Sequence, residues 1–161
     1  AQNRLVANCH KIPNKEFSKE LLSIENITTL FNALIGDLKA FNPLLNVVFT
    51  VSPVRHLKDG FIENQRSKSI LLESVHRIVE ANFNCSYFPS YEMVIDDLRD
   101  YRFFKKDMLH LNEIGVDYVC NILIIPIQFI LWSILRKREE LVYLIFIRNN
   151  GLFFGRKGRL R

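Results

Sequence analysis

The 161-residue chain suits one ordinary domain, and with 48% apolar side chains it carries ample material for a core, which excludes intrinsic disorder. Its formal charge of +5 sits at one end: residues 136–161 hold eight Lys/Arg against Glu139 and Glu140, whereas the preceding residues hold 14 basic and 15 acidic side chains. A near-neutral body with a basic tail is not the charge distribution of a nucleic-acid binder, so no nucleic-acid partner is expected. Cys9, Cys85 and Cys120 are widely spaced with no C-x-x-C pair. Neither a zinc site nor a disulfide framework follows from that usage, no metal or cofactor is expected, and a reducing compartment, the cytoplasm, suits it. The chain starts at Ala1 with no basic-then-apolar leader ahead of its first strand-like segment.

In chain order, "RLVANC" (4–9) reads as a short strand and "HKIPN" as a turn punctuated by Pro13. A helix is predicted near 15–22. Ser23 can cap a second, in which Ile24, Ile27, Leu30, Phe31, Leu34, Ile35 and Leu38 recur at three and four until Asn42-Pro43 ends it. "LLNVVFTVS" (44–52) is a β-branched run suited to a strand buried on both faces. After a polar loop, 62–81 reads as a long helix with Ile70, Leu71, Val75, Ile78 and Val79 inward. "CSYFPS" (85–90) reads as a short strand, 91–98 as a helix, and Leu111 or Asn112 opens a last one. Strands alternating with helices over short connections predict an α/β three-layer sandwich on a parallel sheet. Ligands in such folds sit at the carboxyl ends of strands, which draws attention to Ser52–His56 and to any loop that reaches the same edge.

One such loop is "KKDMLHLNEIGVDYV" (105–119), which places Asp107 three residues before His110. On one turn the carboxylate can hold Nδ1–H of the imidazole and leave Nε2 free to take a proton from a hydroxyl. Surface loops also supply D-x-x-H by chance, and the spacing alone leaves a capping or surface histidine as the competing reading. The second polar cluster, "TVSPVRHLKDGFIENQRSKS" (50–69), follows directly on the buried strand. It offers Ser52, Arg55, His56 and Asn64 to a cleft, or serves only as a solvated entry into a helix. His10 sits at the end of the first strand-like segment and can join the same edge; His76, mid-helix, reads as an exposed-face residue.

Three blocks, "VANCHKIP", "FTVSPVRHLKDGFIENQRSKSILL" and "YFPSYEMVIDDLRDYRFFKKDMLHLNEIGVDYV", occur in the order of the GSCFA family. Over roughly 4–119 the chain resembles that family, which is itself similar to the SGNH (GDSL-like) hydrolases. The resemblance implies a three-layer α/β/α sandwich and ester hydrolysis by a Ser/His/Asp mechanism, with no metal or cofactor. Asp107 would orient and His110 would act as general base. Ser52, Arg55 and His56 fall in the block that supplies substrate or oxyanion contacts, and the choice among the three stays open. The Gly-Ser-Cys-Phe-Ala motif that carries the presumed nucleophile occurs nowhere in the sequence, and Leu111 stands where related hydrolases usually have proline. The resemblance thus implies a hydrolase domain incomplete at its N-terminus and inactive alone. Its substrate would be a small-molecule or carbohydrate ester.

Beyond residue 119 the resemblance stops, and 120–161 reads as a divergent apolar, then basic, tail. "YVCNILIIPIQFILWSIL" (118–135) approaches a transmembrane segment in length, although Asn121, Pro126, Gln128 and Ser133 interrupt it. "LVYLIFI" (141–147) reads as an adventitious strand-like run, exposed and aggregation-prone. The competing functions are a non-catalytic binding domain of the same fold and a small membrane-anchored protein.

Overall fold

The computed structural model describes residues 21–123 and the backbone of two further strands, 142–148 and 151–155. The strand expected at 4–9, nearly all of the helix expected near 15–22, and His10 lie outside the described residues.

Helix α1 (Ile24–Phe41) starts where its cap predicts: the Ser23 hydroxyl accepts the Asn26 N–H at 3.2 Å. Glu25 in the first turn and Lys39 in the last complement the helix dipole, and Asn42 closes the helix through its N–H to the Leu38 carbonyl at 2.8 Å. Ile27, Phe31 and Ile35, one per turn, form the buried stripe. Leu30, expected inward, is 54% exposed, because a single row of side chains suffices to meet β1 and the next helix.

Strand β1 (Asn46–Val51) is buried on both faces, as its composition requires. Val47, Phe49 and Val51 pack with the α1 stripe and with Val75 and Ile78 of helix α2 (Gly60–Ala81). Val48 points the other way, onto Phe88, Met93, Val119 and Leu123. Each fully buried apolar side chain among these, such as Val47, Phe49 and Val51, contributes roughly 1.5–3 kcal/mol. Strand β2 (Cys85–Tyr87) runs parallel to β1, with Val47, Val48 and Phe49 opposite Cys85, Ser86 and Tyr87.

The helix expected at 91–98 is instead a short turn, Ser90–Glu92, that widens into π geometry over Met93–Asp97, with the Leu98 N–H bonded to the Met93 carbonyl at 3.0 Å. That wider turn brings Leu98 round beneath Met93, whose carbonyl it bonds, and both side chains are buried. The last described helix, 113–123, opens at Asn112, whose side-chain oxygen accepts the Gly115 N–H at 3.1 Å.

The apolar run at 141–147, expected to be adventitious and exposed, instead supplies strand β3 (Val142–Arg148), because the edge of β1 needs a ladder partner. It pairs in parallel along all of β1, Asn46 opposite Val142 through Val51 opposite Ile147. Strand β4 (Gly151–Gly155) returns antiparallel to β3, which gives the order β2-β1-β3-β4. The molecule is mixed α/β, and its β2-β1-β3 ladder is parallel. Among the described residues no helix is long and apolar enough to cross a membrane; most of 118–135 lies outside them.

Candidate functional site

Chemistry-bearing side chains gather where β1 ends. Ser52 directly follows the strand, and its Oγ accepts the Val54 N–H at 3.3 Å. Its carbonyl accepts a hydrogen bond from Lys68 Nζ, reaching across from α2. Lys68 is fully buried, and its ammonium also lies 5.9 Å from the centre of the Tyr91 ring. One turn before it on the same face, Asn64 accepts the His56 N–H through Oδ1 at 2.8 Å. The loop 52–56 is therefore held to α2 by two side chains four residues apart. Beneath it, Ser90 Oγ donates to the Val51 carbonyl at 3.0 Å and lies 2.5 Å from Thr50 Oγ1, which ties the strand end to the segment after β2.

A second, self-contained structure carries the Asp/His pair. Phe104 and Leu111 form an antiparallel bridge, and the Lys105 N–H meets the His110 carbonyl at 2.7 Å, closing a loop over the residues between. Within it, Asp107 Oδ1 accepts the N–H groups of Leu109 (2.9 Å) and His110 (3.0 Å), while Oδ2 lies 2.7 Å from His110 Nδ1. To let one carboxylate reach two successive amides, Met108 takes a φ of 57°, which L side chains rarely adopt. The backbone donors of His110 and Leu109, then the imidazole, hold the Asp107 carboxyl at about 2, well below its ordinary value. An ionised Asp107 fixes Nδ1 as the protonated nitrogen of a neutral imidazole, which leaves the Nε2 lone pair outward. Among the described residues no hydroxyl or thiol is hydrogen-bonded to Nε2.

Arg55 joins the two parts. Its guanidinium carbon lies 5.7 Å from the centre of the Tyr101 ring and 5.6 Å from that of Phe104, and Nη1 donates to the Tyr101 hydroxyl at 3.3 Å. Phe104 is the residue bridged to Leu111, so the loop after β1 rests on the base of the Asp/His hairpin. Between Arg55 and α2 opens a cleft of about 350 Å³ that Asn64, Gln65 and Tyr91 also line. The Tyr91 hydroxyl donates to Gln65 Oε1 at 3.2 Å.

The GSCFA family model matches residues 1–122. The chain belongs to the GSCFA family. No match is found among curated proteins or among solved structures. The match takes in every residue of the site and ends before β3.

Of the site residues expected in this GSCFA chain, Asp107 and His110 meet directly, Arg55 and Asn64 share the cleft, and the Ser52 carbonyl and His56 amide are engaged by α2. Sequence reasoning missed Lys68, Gln65, Tyr91, Tyr101 and Phe104 as parts of the site. For Lys68 a signal existed: it lies four residues after Asn64 on a helix, on the face that meets the strand end. The aromatic seat of Arg55 had none, since Arg55 and Tyr101 are 46 residues apart in sequence. His76 lies away on the exposed face of α2, edge-on to Tyr87 at 5.0 Å. Among the described residues no cluster of three or more His, Cys, Asp or Glu could hold a metal ion.

Proposed function

We propose that this GSCFA domain provides the acid–base half of an ester hydrolase of the SGNH type, on a three-layer α/β/α frame. The observation that carries the reading is the Asp107–His110 contact at 2.7 Å, with the other carboxylate oxygen locked by two backbone amides. That arrangement selects one tautomer and one ring orientation, as a general base requires. His110 Nε2 takes the proton of a serine as its oxygen attacks the acyl carbon, then returns it to the leaving alcohol. Asp107 holds the imidazolium that forms between the two steps.

The serine belongs to a Gly-Ser-Cys-Phe-type turn, a motif these 161 residues do not contain. Ser52 is a poor substitute: its hydroxyl already accepts the Val54 amide and it ends a strand instead of topping a strand-to-helix turn. Of the block around it, the Val54 amide is engaged by Ser52 and the His56 amide by Asn64 of α2, which favours the Arg55 guanidinium as the group that meets substrate. A small-molecule or carbohydrate ester is the substrate class. Cys85 and Cys120 are free thiols, which accords with the cytoplasm.

A non-catalytic binding domain is the second reading, favoured by the lack of any hydroxyl bonded to Nε2 among the described residues. Two chains separate the readings, one as given and one extended with a Gly-Ser-Cys-Phe-bearing N-terminus, both assayed on a p-nitrophenyl acyl ester. The extended chain should hydrolyse it and lose about 10⁴-fold or more on His110→Ala, while the short chain stays at the His110→Ala level. Equal rates in the short chain and in its His110→Ala variant, with no gain on extension, would leave the binding reading.

A further inference from the structure

Arg55 is built to hold something. Long cationic side chains normally lie in solvent or against an acid, yet this one is half-buried, set against a pair of neighbouring aromatic rings, and paired with no carboxylate among the described residues. A guanidinium carries five N–H donors. One goes to the Tyr101 hydroxyl, and the aromatic neighbours can accept none of the rest in the guanidinium plane. The cation–π contacts and the Tyr101 hydroxyl hold the guanidinium in place, and a held arginine fork is a two-point receptor for a carboxylate.

The cleft that Arg55 enters sets the charge and shape of the ligand. Its other polar lining is neutral: Asn64, Gln65 and Tyr91. Phe61 and Ile95 make apolar walls. Lys68, one turn after Asn64, does not line the cleft and is engaged by the Ser52 carbonyl and the Tyr91 face. One cation in a neutral, partly apolar pocket matches a single negative charge on a short carbon chain, whereas a phosphate dianion would want a second cation. At about 350 Å³ the cleft holds a short acyl chain and not an oligosaccharide.

We infer that Arg55 and the cleft beneath it form a carboxylate-binding subsite, so that the ester this site takes carries a free carboxylate on a short acyl chain, of the dicarboxylic half-ester kind. Its bearing on turnover rests on the hydrolase reading; its existence does not. The guanidinium edge takes the carboxylate, Gln65 and Asn64 border the chain, and the ester end is directed along the loop toward the Asp107–His110 hairpin that Phe104 ties to Arg55.

The test is binding, not rate. Monomethyl succinate, methyl butyrate and inorganic phosphate are titrated separately into the isotopically labelled chain, and the Arg55 Nε–H and the Asn64 and Gln65 side-chain amides are followed by NMR. Monomethyl succinate should shift these signals saturably, and methyl butyrate, of similar size but uncharged, should bind at least about tenfold more weakly. Arg55→Gln should abolish that preference while the Leu109 and His110 amides stay in place, and Arg55→Lys, which keeps charge but loses the fork, should retain only part of it. Equal binding of the charged and neutral esters, or an unchanged preference in both variants, overturns the subsite. Tighter binding of phosphate than of monomethyl succinate overturns the ligand class. Because no turnover is read, an inactive extended chain would count against the hydrolase and not against the subsite.

Discussion

Asp107 is ionised for a local reason: two backbone amides and an imidazole converge on it, so the proton is displaced by hydrogen bonds and not by burial. The sign of the linkage follows. Its folded value, about 2, lies below the ordinary 3.8, so the stabilisation is present above the unfolded value and is lost as pH falls through about 2. The Leu109 and His110 amide resonances should therefore hold steady through pH 4 and move with a midpoint near 2; a midpoint near 4 would mean that the carboxylate is not so held. Asp107→Asn should keep an oxygen for the two amides but present an NH₂ to Nδ1. That turns the imidazole to the tautomer with Nε2 protonated, and about 10⁴-fold of the extended chain's esterase rate should go with it. Much of this pair was legible beforehand, because residues three apart can meet on one turn and the family-like block around them chose that reading over a surface histidine. The left-handed Met108 was not, since no residue type there announces a positive φ.

At the scale of elements, the 113–123 helix seats itself on the Asp/His hairpin through Gly115. A Cβ on Gly115 would stand 2.9 Å from the Phe103 carbonyl oxygen and 3.1 Å from Leu111 Cδ2. Two effects of Gly115→Ala oppose each other. Helix propensity favours alanine by up to about 1 kcal/mol, less in a first turn. Pressing a methyl into a backbone carbonyl costs about 1–3 kcal/mol, because the backbone cannot step aside as a side chain can. The clash wins. Gly115→Ala should lower stability to urea by about 1–2 kcal/mol and broaden the His110 amide, whereas a variant as stable as the parent would show that the helix does not rest there. Helix α1 was readable from Ser23 to Asn42 because cap, stripe and stop agree. The segment after β2 was misread as one α-helix because the pattern that buries Met93 and Leu98 together asks for a π turn, a geometry rare enough that apolar spacing defaults to α.

At the scale of the molecule, the sheet depends on residues that the family match does not reach. Strand β1 finds three partners in β2 but six in β3. A chain ending at residue 141 would leave one edge of a strand with five fully buried positions without its ladder. It should lose its cooperative thermal transition in circular dichroism, because several unmade backbone bonds are comparable to the whole stability of a domain; an unchanged transition would make β3 dispensable. From sequence the apolar run around 142–148 reads as strand-like but adventitious and exposed, because register between distant strands is set by the assembled core and leaves no local mark. Time enters here. The Asp/His turn can close as soon as its own residues leave the ribosome, within microseconds. Strand β1, ending at residue 51, must wait for residue 142, which at ~5–20 residues per second means on the order of 5–20 s of open edge during synthesis. The proton-handling loop is thus the early, private business of a few residues, while the frame that aims it arrives late. For the last part of that interval, after His110 has emerged and before Val142 has, the nascent chain carries a formed Asp–His pair beside a strand with one open edge, the state in which a chaperone has most to do.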